Sequence, residues 1–158
     1  MGAECRRAEV PFILNDRPDL ALAAGADGVH VGQDDCPPAV ARRILGPAAV
    51  IGLSTHAPAQ IDQANDEPID YVSAGPVAHT ATHPDRRPTG LGYLGYATTH
   101  SAVPFFVTGG ASPDTVGAMA AAGATRFVVV RYLTEAAEPE EAARCLRGAI
   151  DGALAQTP

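Results

Sequence analysis

A chain of 158 residues, with 46% hydrophobic and 18% charged side chains, suits one domain with a real core. The formal net charge is −7, and basic residues are scattered apart from Arg6-Arg7, Arg42-Arg43 and Arg86-Arg87, so the basic face that nucleic-acid binding needs is absent. No apolar run approaches the roughly 18 residues that span a bilayer, and the N-terminus lacks the apolar stretch of a signal peptide; no membrane contact and a cytoplasmic location are expected.

Short apolar runs alternate with Ala-rich stretches. Strands are predicted at 11–14, 28–31, 49–53, 71–74, 105–108 and 127–130, each short, continuous and rich in Val, Ile or Phe, as parallel strands buried on both faces are. Helices are predicted at 18–24, 37–45, 58–64, 93–97, 113–122 and 139–155, several opening on Pro, where a missing N–H is harmless. Asp35 or Cys36, Ser112 and Glu138 are candidate caps or first-turn anions. A weak internal repeat relates Ala23-Ala-Gly-Ala-Asp-Gly-Val-His-Val to Ala121-Ala-Gly-Ala-Thr-Arg-Phe-Val-Val, each with a helix-ending glycine, Gly25 or Gly123. Such βα alternation implies a parallel α/β fold, and rhythm alone does not choose between a doubly wound sheet and a barrel.

In either fold, functional groups gather at the carboxyl ends of strands. The first strand runs into Asn15-Asp16-Arg17, which is a turn or a pair of ligands. The second runs into Gly32-Gln-Asp-Asp35; carboxylates at two neighbouring strand ends can share a hard cation such as Mg2+. The third ends in Ser54-Thr-His56, a source of hydrogen bonds to phosphate or a helix cap; no acidic residue is tied to His56, so a nucleophile triad is a weak reading. The fourth leads through Gly75-Pro76, Thr80 and Thr82 into a long polar loop. The fifth ends in Gly109-Gly110, whose amides can approach an anion or form a tight turn, and the sixth in Val130-Arg131. Cys5, Cys36 and Cys145 lack CxxC spacing and read as reduced thiols.

Together, Asn15-Asp16-Arg17, Gly28-Val-His-Val-Gly-Gln-Asp-Asp35, Gly52-Leu-Ser-Thr-His56, Gly75-Pro76, Thr80-x-Thr82, Gly109-Gly110 and Phe127-Val-Val-Val-Arg131 resemble the thiamine-phosphate synthase family in order and spacing. The resemblance implies a TIM (β/α)8-barrel type of fold. It is incomplete here, with about six βα units and the first two strands missing, residues 1–158 forming one partial barrel domain. It implies a transferase that joins a pyrimidine methyl diphosphate to a thiazole phosphate and releases diphosphate, with Mg2+ as cofactor. By position, Asp16 and Asp35 would hold Mg2+, and Asn15 and Ser54 would contact the diphosphate. Thr80 and Thr82 would line the thiazole and diphosphate side, while Gly110, Val130 and Arg131 would hold the thiazole phosphate. Ser54, Thr80, Thr82 and His83 make up the expected catalytic set.

Two departures bear on activity. The family's Gln-x-Arg-x-Lys strand has no counterpart, residues 1–8 reading as the tail of the helix after it, and His83 stands where Lys is usual. Each charge-assisted contact to diphosphate is worth roughly 1.5–3 kcal/mol, so the expectation is a weakened grip. A gap in the barrel also invites a homodimer or a complementing chain. The rival readings are a thiazole tautomerase using His56 as its acid–base group, and a non-catalytic remnant that binds phosphate ligands.

Overall fold

The structure is a computed structural model that describes residues 1–80 and 86–156. Its elements, in chain order, are α1 (Gly2–Arg7), β1 (Ile13–Asn15), α2 (Pro18–Ala24), β2 (Gly28–Val31), α3 (Pro38–Leu45), β3 (Val50–Thr55), α4 (Pro58–Ala64), β4 (Tyr71–Ala74), α5 (Leu91–His100), β5 (Phe105–Val107), α6 (Val116–Ala121), α7 (Arg131–Thr134) and α8 (Pro139–Leu154). The strands form one parallel sheet in the order β1-β2-β3-β4-β5. A doubly wound sheet reverses its strand order at a switch point, whereas a barrel adds each strand beside the last. The unbroken sequential order therefore decides for an incomplete (β/α)8-type barrel, an alternative the rhythm of the sequence left open.

Strand side chains alternate between two faces. Val29, Val31, Ile51, Leu53, Val72, Ala74 and Val107 share a core with Ala21, Ala41, Ile61, Ala64, Leu94, Ala97 and Met119 from the helices, all buried. Each large side chain so buried contributes on the order of 1.5–3 kcal/mol. The opposite face carries Ile13, Asn15, His30, Ser54, Tyr71 and Ser73, which line a cleft instead. A one-residue slip would exchange the two sets, so the apolar set fixes which polar residues reach the cleft.

The repeat seen in the sequence has a structural counterpart. Gly25 adopts φ 58° and Gly123 φ 97°, and the amides of Ala26 and Ala124 return to the carbonyls of Ala21 and Met119. These are matching left-handed glycine stops. The units then diverge. Residues 28–31 form a strand, but the sixth expected strand, 127–130, is reduced to a single bridge between Phe127 and Val107. It pairs on one side only, through Val107 N–H to Arg126 and Val128 N–H to Val107, and the chain turns at Val130 into α7.

Other boundaries moved for identifiable reasons. The helix expected at 93–97 runs Leu91–His100, because Tyr93, Leu94 and Ala97 are buried and outweigh the poor propensities of Gly92, Gly95, Thr98 and Thr99. The helix expected at 113–122 starts only at Val116. Thr115 Oγ1 accepts the Ser112 N–H at 2.9 Å and donates to the Gly110 carbonyl at 2.7 Å, so the preceding residues are held in a turn. The side-chain caps expected before α3, α6 and α8 are not made. Among the described residues, no helix is long and apolar enough to cross a membrane.

Candidate functional site

The strand ends and the loops that follow them enclose a cleft of about 810 Å³. Asn15, Asp16, Asp35, Ser54, His56, Thr80, Gly110, Val130 and Arg131 all line it, so this part of the expected site is brought together. Thr82 and His83 lie outside the described residues.

Asp16 follows the last residue of β1 and takes φ 65°, a left-handed conformation that Asp tolerates better than most residues. Its N–H donates to the His30 carbonyl at 2.8 Å, and across it Arg17 N–H donates to the Asn15 carbonyl at 2.8 Å. This tight turn throws the Asp16 carboxyl toward Asp35. The two carboxyls interact directly, and the Asp16 pKa is raised: burial is the main cause, then the charge of Asp35 and the hydrogen bond to it, opposed by the Asn15 amide. That amide donates to Asp16 Oδ1 at 2.7 Å. Asp35 is fixed from the other side, accepting the Gly32 N–H at 2.7 Å. Arg17 turns away to Asp19, at 2.8 and 2.6 Å.

Two neighbouring carboxyls repel each other when both are ionised, and one cation between them relieves that repulsion. Among the described residues, no three or more His, Cys, Asp or Glu side chains are grouped so as to hold a metal ion. The donor set thus suits a hard cation that takes one or two carboxylates and completes its shell with water and substrate phosphates, and it does not suit an all-protein cage.

Below this pair lies a polar group on the cleft face of the sheet. His30 on β2 meets the Tyr71 hydroxyl through Nδ1 at 3.0 Å and the Ser54 hydroxyl through Nε2 at 2.9 Å. Ser73 Oγ donates to Ser54 Oγ at 3.4 Å. Burial depresses the His30 pKa, Asp35 opposes this to a lesser extent and His56 adds to it, so the neutral ring is favoured. A neutral imidazole donates at one nitrogen and accepts at the other, and the Tyr71 and Ser54 hydroxyls therefore take opposite roles. The register explains why the group can form. Gly52 pairs with His30 on one side and Tyr71 on the other. A Cβ at Gly52 would fall 2.4 Å from His30 Nδ1 and 2.1 Å from Tyr71 Cζ. Glycine inside a strand is here the space in which the two rings meet.

His56 follows β3. Its Nδ1 bonds the Gly75 carbonyl, and its Nε2 lies 2.6 Å from Nη1 of Arg86. A carbonyl only accepts and a guanidinium only donates, so His56 is the neutral tautomer with hydrogen on Nδ1 and its lone pair directed at Arg86. On the far wall, Gly109 and Gly110 have φ 89° and 82°, and a Cβ at Gly109 would lie 2.6 Å from that of Pro76. Arg131 is engaged by Glu135 at 2.8 and 3.1 Å, which raises its pKa.

His30, Tyr71, Ser73 and Arg86 were not singled out by the sequence reading. The first three did leave a signal, as polar side chains at alternate positions of otherwise apolar strands. Arg86 left none, because where a long side chain on a loop reaches is a tertiary property.

A parallel sheet in sequential strand order, with a cleft at the carboxyl ends of its strands, defines an α/β protein of the (β/α)8-barrel type. The profile described as "Thiamine monophosphate synthase" matches residues 1–133. A thiamine-phosphate synthase of Thermus thermophilus is 47% identical over 153 residues, covering 96% of this chain and 73% of that protein. One from Synechocystis is 47% identical over 138 residues, covering 87% of this chain but 40% of that longer protein. Thiamine phosphate pyrophosphorylase from Pyrococcus furiosus superposes with a TM-score of 0.86 at 30% identity, over 95% of this chain and 72% of that one. The chain belongs to the thiamine monophosphate synthase family.

Proposed function

We propose that the cleft couples a pyrimidine methyl diphosphate with a thiazole phosphate to give thiamine phosphate and diphosphate. The observation that carries this is the Asp16–Asp35 pair, two carboxyls pressed together at adjacent strand ends of a member of this family. In the reaction the methylene C–O bond breaks, diphosphate leaves with the bonding electrons, and the thiazole nitrogen forms the new C–N bond. The difficulty is charge on the leaving group. Mg2+ held by Asp16 and Asp35 would supply Lewis acidity there. Asn15 fixes the Asp16 carboxyl and would contact the diphosphate beside it. Ser54, set by His30, offers its hydroxyl to the diphosphate, and Thr80 lines the path between the two substrates. Thr82 and His83, which lie outside the described residues, would act with Thr80 by the family's order. Gly110, Val130 and Arg131 line the cleft, and amides there would hold the thiazole phosphate.

The tautomerase alternative is not favoured. The similar proteins are synthases, and the His56 lone pair that would move a proton points at Arg86. A second copy or a complementing chain across the open side of the sheet is the partner this reading allows; sedimentation of the purified chain tests it.

Incubating the chain with both substrates and Mg2+ should give thiamine phosphate and diphosphate in equal amounts. Asp35→Asn should lower the rate about a hundredfold or more, in line with the loss of one group that stabilises developing charge. Isomerised thiazole with no coupled product would support the tautomerase instead.

A further inference from the structure

Among the described residues, the cleft is lined by the acidic residues Asp16, Asp34 and Asp35 and by the arginines Arg86 and Arg131. Arg131 has both arms of its fork on Glu135. Arg86 is placed differently. It lies beyond β4 in sequence, yet its guanidinium returns to the carboxyl end of β3, where His56 accepts from Nη1 at 2.6 Å. His56 is itself held, because Nδ1 must donate to the Gly75 carbonyl at the end of β4. A carboxylate in the place of His56 would neutralise the cation. A neutral imidazole aims it and leaves its charge intact.

We propose that Arg86, aimed by His56, is a diphosphate-gripping residue of this cleft. The inference rests on the synthase reading and adds to it a cation that no motif of the sequence announced. Guanidinium carries five N–H donors in a planar fork, and a single bond to His56 leaves a further edge of that fork for phosphate oxygens. The placement favours diphosphate over the thiazole phosphate. His56 directly follows β3, whose Ser54 hydroxyl reaches the cleft face, whereas the Gly109-Gly110 turn and Arg131 lie past β5. A charge-assisted contact there offsets the negative charge that the two carboxyls bring to the same cleft. His56 acts through Arg86 and is a positioning residue.

The test is titration calorimetry of inorganic pyrophosphate in saturating Mg2+ against the whole chain and its variants, with thermal melts to show that each is folded. Arg86→Gln should weaken pyrophosphate binding by about tenfold or more, and Arg86→Lys, which keeps charge but loses the fork, by less. His56→Phe should weaken it in the same direction when Arg86 is present and change nothing in the Arg86→Gln background. A purely structural role for His56 would instead give additive losses. Arg86→Gln binding within twofold of the parent, while Asp35→Asn abolishes binding, would overturn the role of Arg86 and leave the synthase reading standing. No pyrophosphate binding by the folded parent chain would overturn both.

Discussion

Tyr71 stacks on His30 with ring centroids 5.4 Å apart and meets Phe106 edge-on at 5.2 Å. Burial pushes its hydroxyl pKa from 10.0 to about 12. The folded chain therefore keeps a proton that the unfolded chain loses. The resulting stability is fully present below about pH 10 and is lost as pH rises toward about 12. The linkage ceiling is about 2.7 kcal/mol, reduced to roughly 1 kcal/mol because the residue is only partly shielded from solvent. Urea midpoints measured at about pH 9 and about pH 11 should fall further for the parent than for Tyr71→Phe; equal falls would remove Tyr71 from the account. At this scale the sequence was uneven. Asp16, Asp35 and Ser54 were legible because each stands at the end of an apolar run, where a parallel fold collects its chemistry. The pairing of His30 with Tyr71 was not, because it depends on β2 and β4 both flanking Gly52 in register, which no local pattern encodes.

Helices α2 and α4 follow their sequence signals to the residue, each opening on proline and ending where apolar periodicity stops. The fifth helix did not, since buried Tyr93 and Leu94 prolong it through glycines and threonines that propensity counts against it. Thr98 and Thr99 accommodate by donating to the carbonyls of Leu94 and Gly95, at 2.8 and 3.1 Å. Arg42 on α3 ties elements together. It donates to the carbonyls of Pro68, Gly46, Pro47 and Ala49 and pairs with Asp70 at 2.8 Å, while Asp70 also accepts the Ile51 N–H at 2.7 Å. One side chain thus satisfies the loops leading into both β3 and β4. Arg42→Ala should cost about 1.5–3 kcal/mol, because carbonyls it now serves lose a charged donor. Arg43, its neighbour in sequence, offers the control, and equal urea midpoints for the two alanine variants would contradict the clamp.

At the scale of the molecule, the five laddered strands and one bridge among the described residues cover part of a barrel, with β1 at one edge and Phe127 at the other. Val10, Val128 and Val130 are exposed near these edges. The fold type could be named from the sequence only through resemblance, because βα rhythm is common to both parallel architectures; the strand order was needed to separate them. Net charge of −7 also has a local meaning in this architecture. The cleft is lined by carboxyls, and the proposed function rests on a cation that Asp16 and Asp35 would hold. That claim is tested most directly by Mn2+ binding, followed by electron paramagnetic resonance, with and without pyrophosphate. The account predicts a single site per chain that tightens with pyrophosphate and is lost in both Asp16→Asn and Asp35→Asn, with melting temperatures no lower than the parent's. Undiminished Mn2+ binding in both variants would contradict it.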